Sequence, residues 1–242
     1  MTMRSIGIPH GEKFLTGVVH EPSVSNGKVL VMCHGFRGSK EGGGRAVYLA
    51  EQAAAKNFIV VRFDFTPTEC LTKQIQEIRS VVAYCRSKLS EQIILLGRSM
   101  GGSASLAFAA DDENLIGLCL WSTPSDLQET FRLALGDSYQ RLLGGEEILI
   151  EDEYGTLELA PYFVDDFNNY NLLTCIQRLS GLPLLVLHGS LDAIVPLDQA
   201  KKLFQQADKP KLMRVIEGAD HQFSQHAMEA TGIVIAWLET IK

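Results

Sequence analysis

A serine between two glycines, in Gly97-Arg98-Ser99-Met100-Gly101, is the segment of this chain best suited to covalent chemistry. It follows the apolar run 92–96 and precedes 102–110, a run of small and apolar residues that favours a helix. Flanking glycines let backbone segments pass close together while the serine is held exposed in a strained turn. We therefore predict that Ser99 is a nucleophile. The alternative is a glycine-rich turn without chemistry, because so short a pattern also arises by chance.

A carboxylate and an imidazole follow at positions where a nucleophilic serine would use them. Asp192 comes after the apolar run 183–187, and His221 comes after the run 212–216. Serine, acid, histidine is one of the chain orders in which catalytic triads occur. We predict that His221 is the general base and that Asp192 orients it. Asp220 is the rival acid, but a residue directly before His221 usually points away from the ring.

A site for the developing oxyanion is predicted where the apolar run 29–33 enters the turn His34-Gly35-Phe36. A tight turn beside the serine brings the backbone N–H of Phe36 close to that of Met100. These two residues would act through their main chains. We expect His34 to orient the turn and to transfer no proton.

Together these motifs resemble those of the α/β-hydrolase superfamily over essentially the whole chain. The nearest likeness is to small serine carboxylesterases and feruloyl (cinnamoyl) esterase-like enzymes, and serine aminopeptidase and prolyl-oligopeptidase-type hydrolases are also similar. The resemblance implies acyl transfer through an acyl-enzyme, without a cofactor. The matching stretches are 34–41, 61–65, 96–102, 188–192 and 218–221.

The chain departs from these families at two points. Many relatives carry a glycine-rich turn after the segment matching 63–65, whereas this chain reads Thr66-Pro67-Thr68-Glu69-Cys70. Relatives commonly have histidine where Arg98 stands, and we interpret Arg98 as a packed or paired support for the serine turn. One wall of the site is therefore expected to differ from that of the relatives.

Apolar runs and helical periods alternate along most of the chain, which predicts an α/β fold with a doubly wound, mostly parallel sheet. An antiparallel hairpin is expected at the N-terminus, and residues 1–242 are expected to form one domain. Predicted strands are 4–8, 13–20, 28–33, 58–63, 92–97, 115–121, 183–188 and 211–216, and predicted helices are 42–56, 71–88, 100–110, 197–206 and 222–240.

The alternation stops at residues 122–181, where we predict a small lid or cap insertion. A helical stretch at 127–135 is followed by 146–159, which resembles a hairpin turning near Tyr154-Gly155. Feruloyl esterase-like relatives carry a lid at this place, so the resemblance implies a covered pocket. Aromatic residues of the insertion either line that pocket or form the insertion's own core: Phe131, Tyr154, Tyr162, Phe163 and Phe167.

Composition excludes several classes of function. The net charge of -7 without a basic run argues against nucleic acid and makes bulky anionic substrates less favoured. The N-terminal residues lack the features of a signal peptide and no apolar run is long enough for a bilayer, so a cytoplasmic protein without membrane contact is expected. Five cysteines in mostly apolar surroundings indicate reduced core thiols, and the spacing indicates no metal site.

The sequence thus predicts a serine carboxylesterase acting on a small-molecule ester. Serine aminopeptidase-type amide hydrolysis and acyl transfer remain open, because all three reactions use the same triad. A ligand-binding receptor on the same fold is the non-enzymatic alternative. The spacing indicates neither the acyl group nor the oligomeric state.

Overall fold

The fold was analysed in a computed structural model, which describes residues 1–67, 70–152 and 155–242. Its centre is an eight-stranded sheet of order β1-β2-β4-β3-β5-β6-β9-β10, and a separate two-stranded sheet is formed by β7 and β8. The strands are β1 (Thr2–His10), β2 (Lys13–Glu21), β3 (Lys28–Cys33), β4 (Ile59–Phe63), β5 (Gln92–Arg98), β6 (Leu115–Trp121), β7 (Ile148–Asp152), β8 (Gly155–Leu159), β9 (Leu184–Gly189) and β10 (Lys211–Ile216).

Helices cover both faces of the sheet. One face packs against α1 and α9, and the opposite face packs against α2, α3 and α8. Alternate residues of the central strands, such as Ile93 and Ile94, point into the two cores. The helices are α1 (Arg45–Ala55), α2 (Leu71–Lys88), α3 (Met100–Ala109), α4 (Leu127–Leu135), α5 (Asp137–Leu143), α6 (Tyr162–Asp165), α7 (Leu172–Gln177), α8 (Leu197–Gln206) and α9 (Ala227–Leu238).

Strand direction determines where the functional loops meet. In the large sheet, the neighbours in the order β4-β3-β5-β6-β9-β10 pair in parallel. Strand β2 pairs antiparallel with both β1 and β4. The loops after β3, β5, β9 and β10 therefore all emerge at the carboxyl edge of the sheet. The α/β architecture and the N-terminal hairpin agree with the sequence prediction, and binding sites of such sheets lie at this edge.

Two helices begin later than the sequence pattern predicts. The expected helix 42–56 starts at Arg45, because Gly42, Gly43 and Gly44 have positive φ and form a 3-10 turn. The expected helix 222–240 starts at Ala227, because Phe223 has φ 53° within a turn that precedes it. Hydrophobic periodicity does not report such local changes of backbone conformation.

The insertion between β6 and β9 contains α4 to α7 and the β7–β8 hairpin. Ile148 pairs with Leu159 in that hairpin, and its turn, including Tyr154, lies outside the described residues. Near the end of the insertion, Asp166 accepts hydrogen bonds from Thr72 N at 2.8 Å and Thr72 Oγ1 at 2.5 Å, at the start of α2. These bonds therefore hold the insertion against the start of α2.

Three general expectations concern the chain as a whole. No disulfide joins the five cysteines, all of which lie in the described ranges. Among the helices of those ranges, none combines the length and apolar character needed to cross a bilayer. Nor do the described His, Cys, Asp and Glu side chains form a group of three or more that could hold a metal ion.

Candidate active site

The turn after β5 holds Ser99 in an unusual backbone conformation. Its φ of 53° and ψ of -129° lie in a region that residues with a side chain rarely adopt. The glycines around it permit this turn, because a Cβ at Gly97 would lie 2.5 Å from Gly101 O and one at Gly101 would lie 2.1 Å from His34 O. Strand, strained turn and helix thus follow directly from the Gly-x-Ser-x-Gly spacing.

Ser99 and His221 are in hydrogen-bonding contact, and so are His221 and Asp192. The Ser99 Oγ lies 3.2 Å from His221 Nε2, and His221 Nδ1 lies 2.8 Å from Asp192 Oδ2. An ionised carboxylate only accepts hydrogen bonds, so Nδ1 carries the proton and Nε2 is left to accept from the serine hydroxyl. The three side chains, 122 and 29 residues apart in the chain, are thus linked by one series of hydrogen bonds.

The Asp192 carboxylate is completely buried but supplied with donors. Its Oδ1 accepts from Ile194 N at 3.0 Å and from Val195 N at 2.8 Å. Burial alone raises the pKa of Asp192, but the hydrogen bond and charge of His221 and the Val195 amide outweigh burial and leave this pKa below its usual value. Asp192 is therefore ionised at neutral pH and able to hold a protonated imidazole.

A second histidine, His188, lies behind this carboxylate. Its side chain is buried, and Nε2 is 2.8 Å from Val195 O, to which it donates, and 3.5 Å from Asp192 Oδ2. Burial lowers the pKa of His188, which keeps this ring neutral. His188 supports the loop that carries Asp192, a role for which the motif His188-Gly189 gives no direct signal.

The turn after β3 lies against Ser99. A Cβ at Gly35 would be 2.9 Å from the Ser99 Cβ and 3.5 Å from its Oγ, so only glycine fits this approach. Among the described residues, neither Phe36 N–H nor Met100 N–H has a hydrogen-bond acceptor. The amide of Phe36, in this turn, and that of Met100, next to Ser99 in sequence, are therefore not engaged by any described residue.

His34 fixes the shape of this turn. Its Nε2 accepts from Phe65 N at 3.0 Å, so Nδ1 carries the proton and donates to Gly35 O at 2.8 Å. Burial lowers the pKa of His34, which favours this neutral form. With both ring nitrogens engaged, His34 acts on the backbone of the turn, as its sequence context suggests.

The loop that follows Gly38 is held by Arg62 in β4 and by Asp64, directly after that strand. Arg62, only 2% exposed, donates to Lys40 O and to Glu41 Oε2, the latter at 3.2 Å. Asp64 accepts from Lys40 N at 2.7 Å and from Lys40 Nζ at 2.6 Å. The sequence indicates a resemblance to other hydrolases at 61–65 but not these contacts, because they join residues 21 to 24 positions apart.

Arg98 fixes the loop that carries His221. Its Nη2 donates to His221 O and to Gln222 Oε1, each at 2.8 Å. The interpretation of Arg98 as a support agrees with these contacts, which reach the base and not the serine. Arg98 therefore acts as a positioning residue for His221.

We predict that Arg98→Ala lowers kcat for a neutral ester about tenfold, because the imidazole loses a contact that fixes its loop at hydrogen-bonding distance. Steady-state kinetics with p-nitrophenyl butyrate would measure it. Gln222→Ala is the matched control, since it removes one acceptor and leaves the bond from Arg98 to His221 O. An unchanged kcat in Arg98→Ala would show that the loop needs no such support.

A cavity of about 440 Å³ opens beside the hydroxyl of Ser99. Its walls include Ser99, His221, the turn after β3 and the start of α1. A smaller cavity of about 220 Å³ lies across that turn, between Phe65 and Leu157. A larger one of about 900 Å³ lies at the amino end of β6 and β9, away from Ser99, and contains none of the residues described above.

Three of the four aromatic residues predicted for the substrate pocket lie in the described part of the chain. Phe131 and Phe163 are 3% and 0% exposed, and their rings lie 5.2 and 5.3 Å from that of Phe36. They form the insertion's own core with Phe167 and line neither cavity beside the turn. Tyr162 is 50% exposed and lines neither cavity, and Tyr154 lies outside the described residues.

Comparison with solved structures identifies the fold. Est1E from Butyrivibrio proteoclasticus is 20% identical, with a TM-score of 0.85 over 97% of each chain. The same protein with ferulic acid bound gives a TM-score of 0.86 over 98% of each chain, also at 20% identity. An esterase domain from Rhodothermus marinus is 21% identical, with a TM-score of 0.77 over 98% of each chain. The chain has the α/β-hydrolase fold, as its motifs predict.

Comparison with curated sequences finds further proteins of similar sequence. The chain is 25% identical over 177 residues to the uncharacterized protein YfhR of Escherichia coli O157:H7, which is 69% of this chain and 54% of that protein. It is 26% identical over 161 residues to YfhR of Salmonella typhimurium, covering 61% of this chain and 47% of that protein. The chain thus spans about half the length of the curated relatives it matches. No protein-family model matches it.

Proposed function

We propose that this protein is a serine hydrolase that cleaves carboxylic esters with small to medium acyl groups. The observation that carries the proposal is the series of contacts from Ser99 through His221 to Asp192, at 3.2 and 2.8 Å. The amides of Phe36 and Met100, which have no acceptor among the described residues, support it. Esterases and other hydrolases among the structures of the same fold are consistent with it.

In the first half of the proposed reaction, Ser99 Oγ attacks the ester carbonyl while His221 Nε2 takes its proton. The amides of Phe36 and Met100 bind the oxygen that becomes negative, and ionised Asp192 stabilises the imidazolium. His221 then gives its proton to the leaving alcohol, and the acyl group remains on Ser99. Water repeats these steps on the acyl-enzyme, releasing the acid and restoring the serine.

We further propose that the insertion, residues 122–181, is a lid over the site. It contacts the turn that binds the oxyanion, since Phe131 and Phe163 pack on Phe36 and Arg37 Nη2 donates to Gly155 O at 2.7 Å. A shift of the insertion would therefore move the Phe36 amide. Substrate access and oxyanion binding would be coupled through these contacts.

The test of ester preference compares esters with an amide whose leaving groups carry the same nitrophenyl ring. We predict that p-nitrophenyl acetate, butyrate and octanoate are hydrolysed with higher kcat/KM than alanine p-nitroanilide, because p-nitrophenolate leaves more readily than the nitrogen of p-nitroaniline. Adding methanol reports transfer to an alcohol.

Three results would change the assignment. Faster cleavage of the anilide would indicate an amide hydrolase, and a dominant methyl ester product would indicate an acyltransferase. Ligand binding without turnover of any substrate would favour the receptor.

A further inference from the structure

The cavity of about 440 Å³ beside Ser99 has a charge opposite to that of the whole chain. The chain has a net charge of -7. Among the described residues of its wall there is no Asp or Glu. Four basic side chains line it: Arg37, Lys40, Arg45 and Arg98. A surface that is acidic on average thus has a basic recess at its nucleophile, which attracts anions at short range.

Three of these cations are held by contacts within the protein. Lys40 Nζ lies 2.6 Å from Asp64 Oδ2, and Arg37 Nη2 donates to Gly155 O at 2.7 Å. Arg98 donates to the His221 loop. These contacts explain why the three residues are present, although their charges still contribute to the potential in the cavity.

Arg45 differs from the other three. Its side chain is half-buried, and it makes no hydrogen bond or ion pair with any residue in the described part of the chain. Of the acidic residues nearby, Glu41 pairs with Arg62 at 3.2 Å, and Asp220 accepts from Ser224 N and Oγ at 2.9 and 2.8 Å. The Ser224 amide and, to a smaller extent, the Arg45 charge lower the pKa of Asp220, but no ion pair joins these two described side chains. A half-buried guanidinium that no described residue engages in a hydrogen bond or ion pair is a position that an anionic ligand can fill.

The backbone next to Arg45, like its side chain, favours an anion. Gly42 and Gly43 leave the cavity wall without side chains, and α1 begins at Arg45 with no side-chain cap. The first turn of a helix carries partial positive charge, although the Arg45 N–H itself donates to Gly42 O. This partial charge adds to the electrostatic field of Arg45, but the attraction of an anion by Arg45 does not depend on it.

We propose that this cavity binds a carboxylate on the substrate, with Arg45 as the residue that selects for it. The proposal rests on the hydrolase function and narrows its substrates to anionic esters. His221, which must protonate the leaving oxygen, and Gly35, which lies against Ser99, both border the cavity. A group bound there is therefore close to the scissile bond.

Two ester pairs, each a free carboxylate and its methyl ester, test the proposal. In 4-acetoxybenzoate the carboxylate is on the leaving group, and in the p-nitrophenyl monoester of adipic acid it is on the acyl group. The quantity measured is the ratio of kcat/KM for the anionic ester to kcat/KM for its methylated partner. Taking this ratio for each variant cancels the intrinsic reactivity of the two esters.

In Arg45→Ala we expect this ratio to fall about tenfold in at least one pair, as for loss of a charge-assisted hydrogen bond. Arg45→Lys should restore part of it, and 0.5 M salt should lower the ratio of the wild type by screening. The control Lys88→Ala removes an exposed charge from the end of α2, at the opposite edge of the sheet, and should leave the ratio unchanged. Equal ratios in wild type and Arg45→Ala, in both pairs, would overturn the proposal.

Binding to Ser99→Ala separates this proposal from the hydrolase function. Titrations of Ser99→Ala with 4-hydroxybenzoate, adipate and their methyl esters should show that at least one acid binds more tightly than its methyl ester. This difference in affinity should be lost when Arg45→Ala is added to Ser99→Ala. Such binding to Ser99→Ala, together with a wild-type protein that hydrolyses none of the esters, would keep the carboxylate site and reject the hydrolase. Turnover of neutral esters without Arg45-dependent binding or selectivity would reject the site and keep the hydrolase.

Discussion

Ser99→Ala is expected to lower kcat for p-nitrophenyl butyrate by about a hundred thousandfold, because triad members act as a unit and no other group replaces the nucleophile. The residual rate would come from the amides of Phe36 and Met100 and from substrate binding. Adding His221→Ala to Ser99→Ala should lower the rate little further. Steady-state kinetics of the single and double variants would measure both expectations.

The control for this variant is Ser87→Ala, the same substitution at an exposed position of α2. It should retain the wild-type kcat, and thermal unfolding should show that both variants are folded. A loss of less than about tenfold in folded Ser99→Ala would mean that another residue attacks the ester or that the activity belongs to a contaminant.

Asp192→Asn is expected to lower kcat about ten thousandfold while leaving the fold intact. The asparagine amide can donate to His221 Nδ1, which would favour the tautomer with its proton on Nε2. That nitrogen then no longer accepts from Ser99, and the imidazolium loses its counter-charge. Kinetics with a neutral ester, combined with the melting temperature of the variant, would test this prediction.

Asp220 provides the matched control, because it is the neighbour of His221 in sequence and the other acid considered for this role. Its carboxylate is exposed and accepts from Ser224 N and Oγ at 2.9 and 2.8 Å. We therefore expect Asp220→Asn to change kcat less than about threefold, as for a surface hydrogen bond. If Asp220→Asn were the more harmful variant, the choice of acid would be wrong.

The parallel sheet and its helices were predictable because apolar periodicity determines which segments are buried. The Gly-x-Ser-x-Gly spacing likewise determined the turn at Ser99, since a side chain at Gly97 or Gly101 would collide with backbone. The placement of Asp192 and His221 near Ser99 followed from one rule, that parallel strands end at the same edge. These features depend on local pattern and strand direction, which a sequence contains.

Features that depend on side-chain direction across the fold were not predictable. The net charge of -7 argued against bulky anionic substrates, but it sums over the whole surface and does not describe a cavity. Arg45 lines the cavity at the start of α1, directly after three glycines with positive φ that the hydrophobic pattern does not indicate. Phe131 and Phe163 were candidates for the pocket, but they pack behind Phe36, and nothing in their spacing distinguishes the two positions.

Mapping the attachment site of a fluorophosphonate probe by peptide mass spectrometry tests the central claim most directly. An activated serine reacts with this probe, whereas an ordinary serine hydroxyl does not. We predict one modified residue, Ser99, with labelling abolished in His221→Ala and retained in Ser87→Ala. Absence of labelling in folded wild-type protein, or labelling of a serine other than Ser99, would contradict the proposed nucleophile.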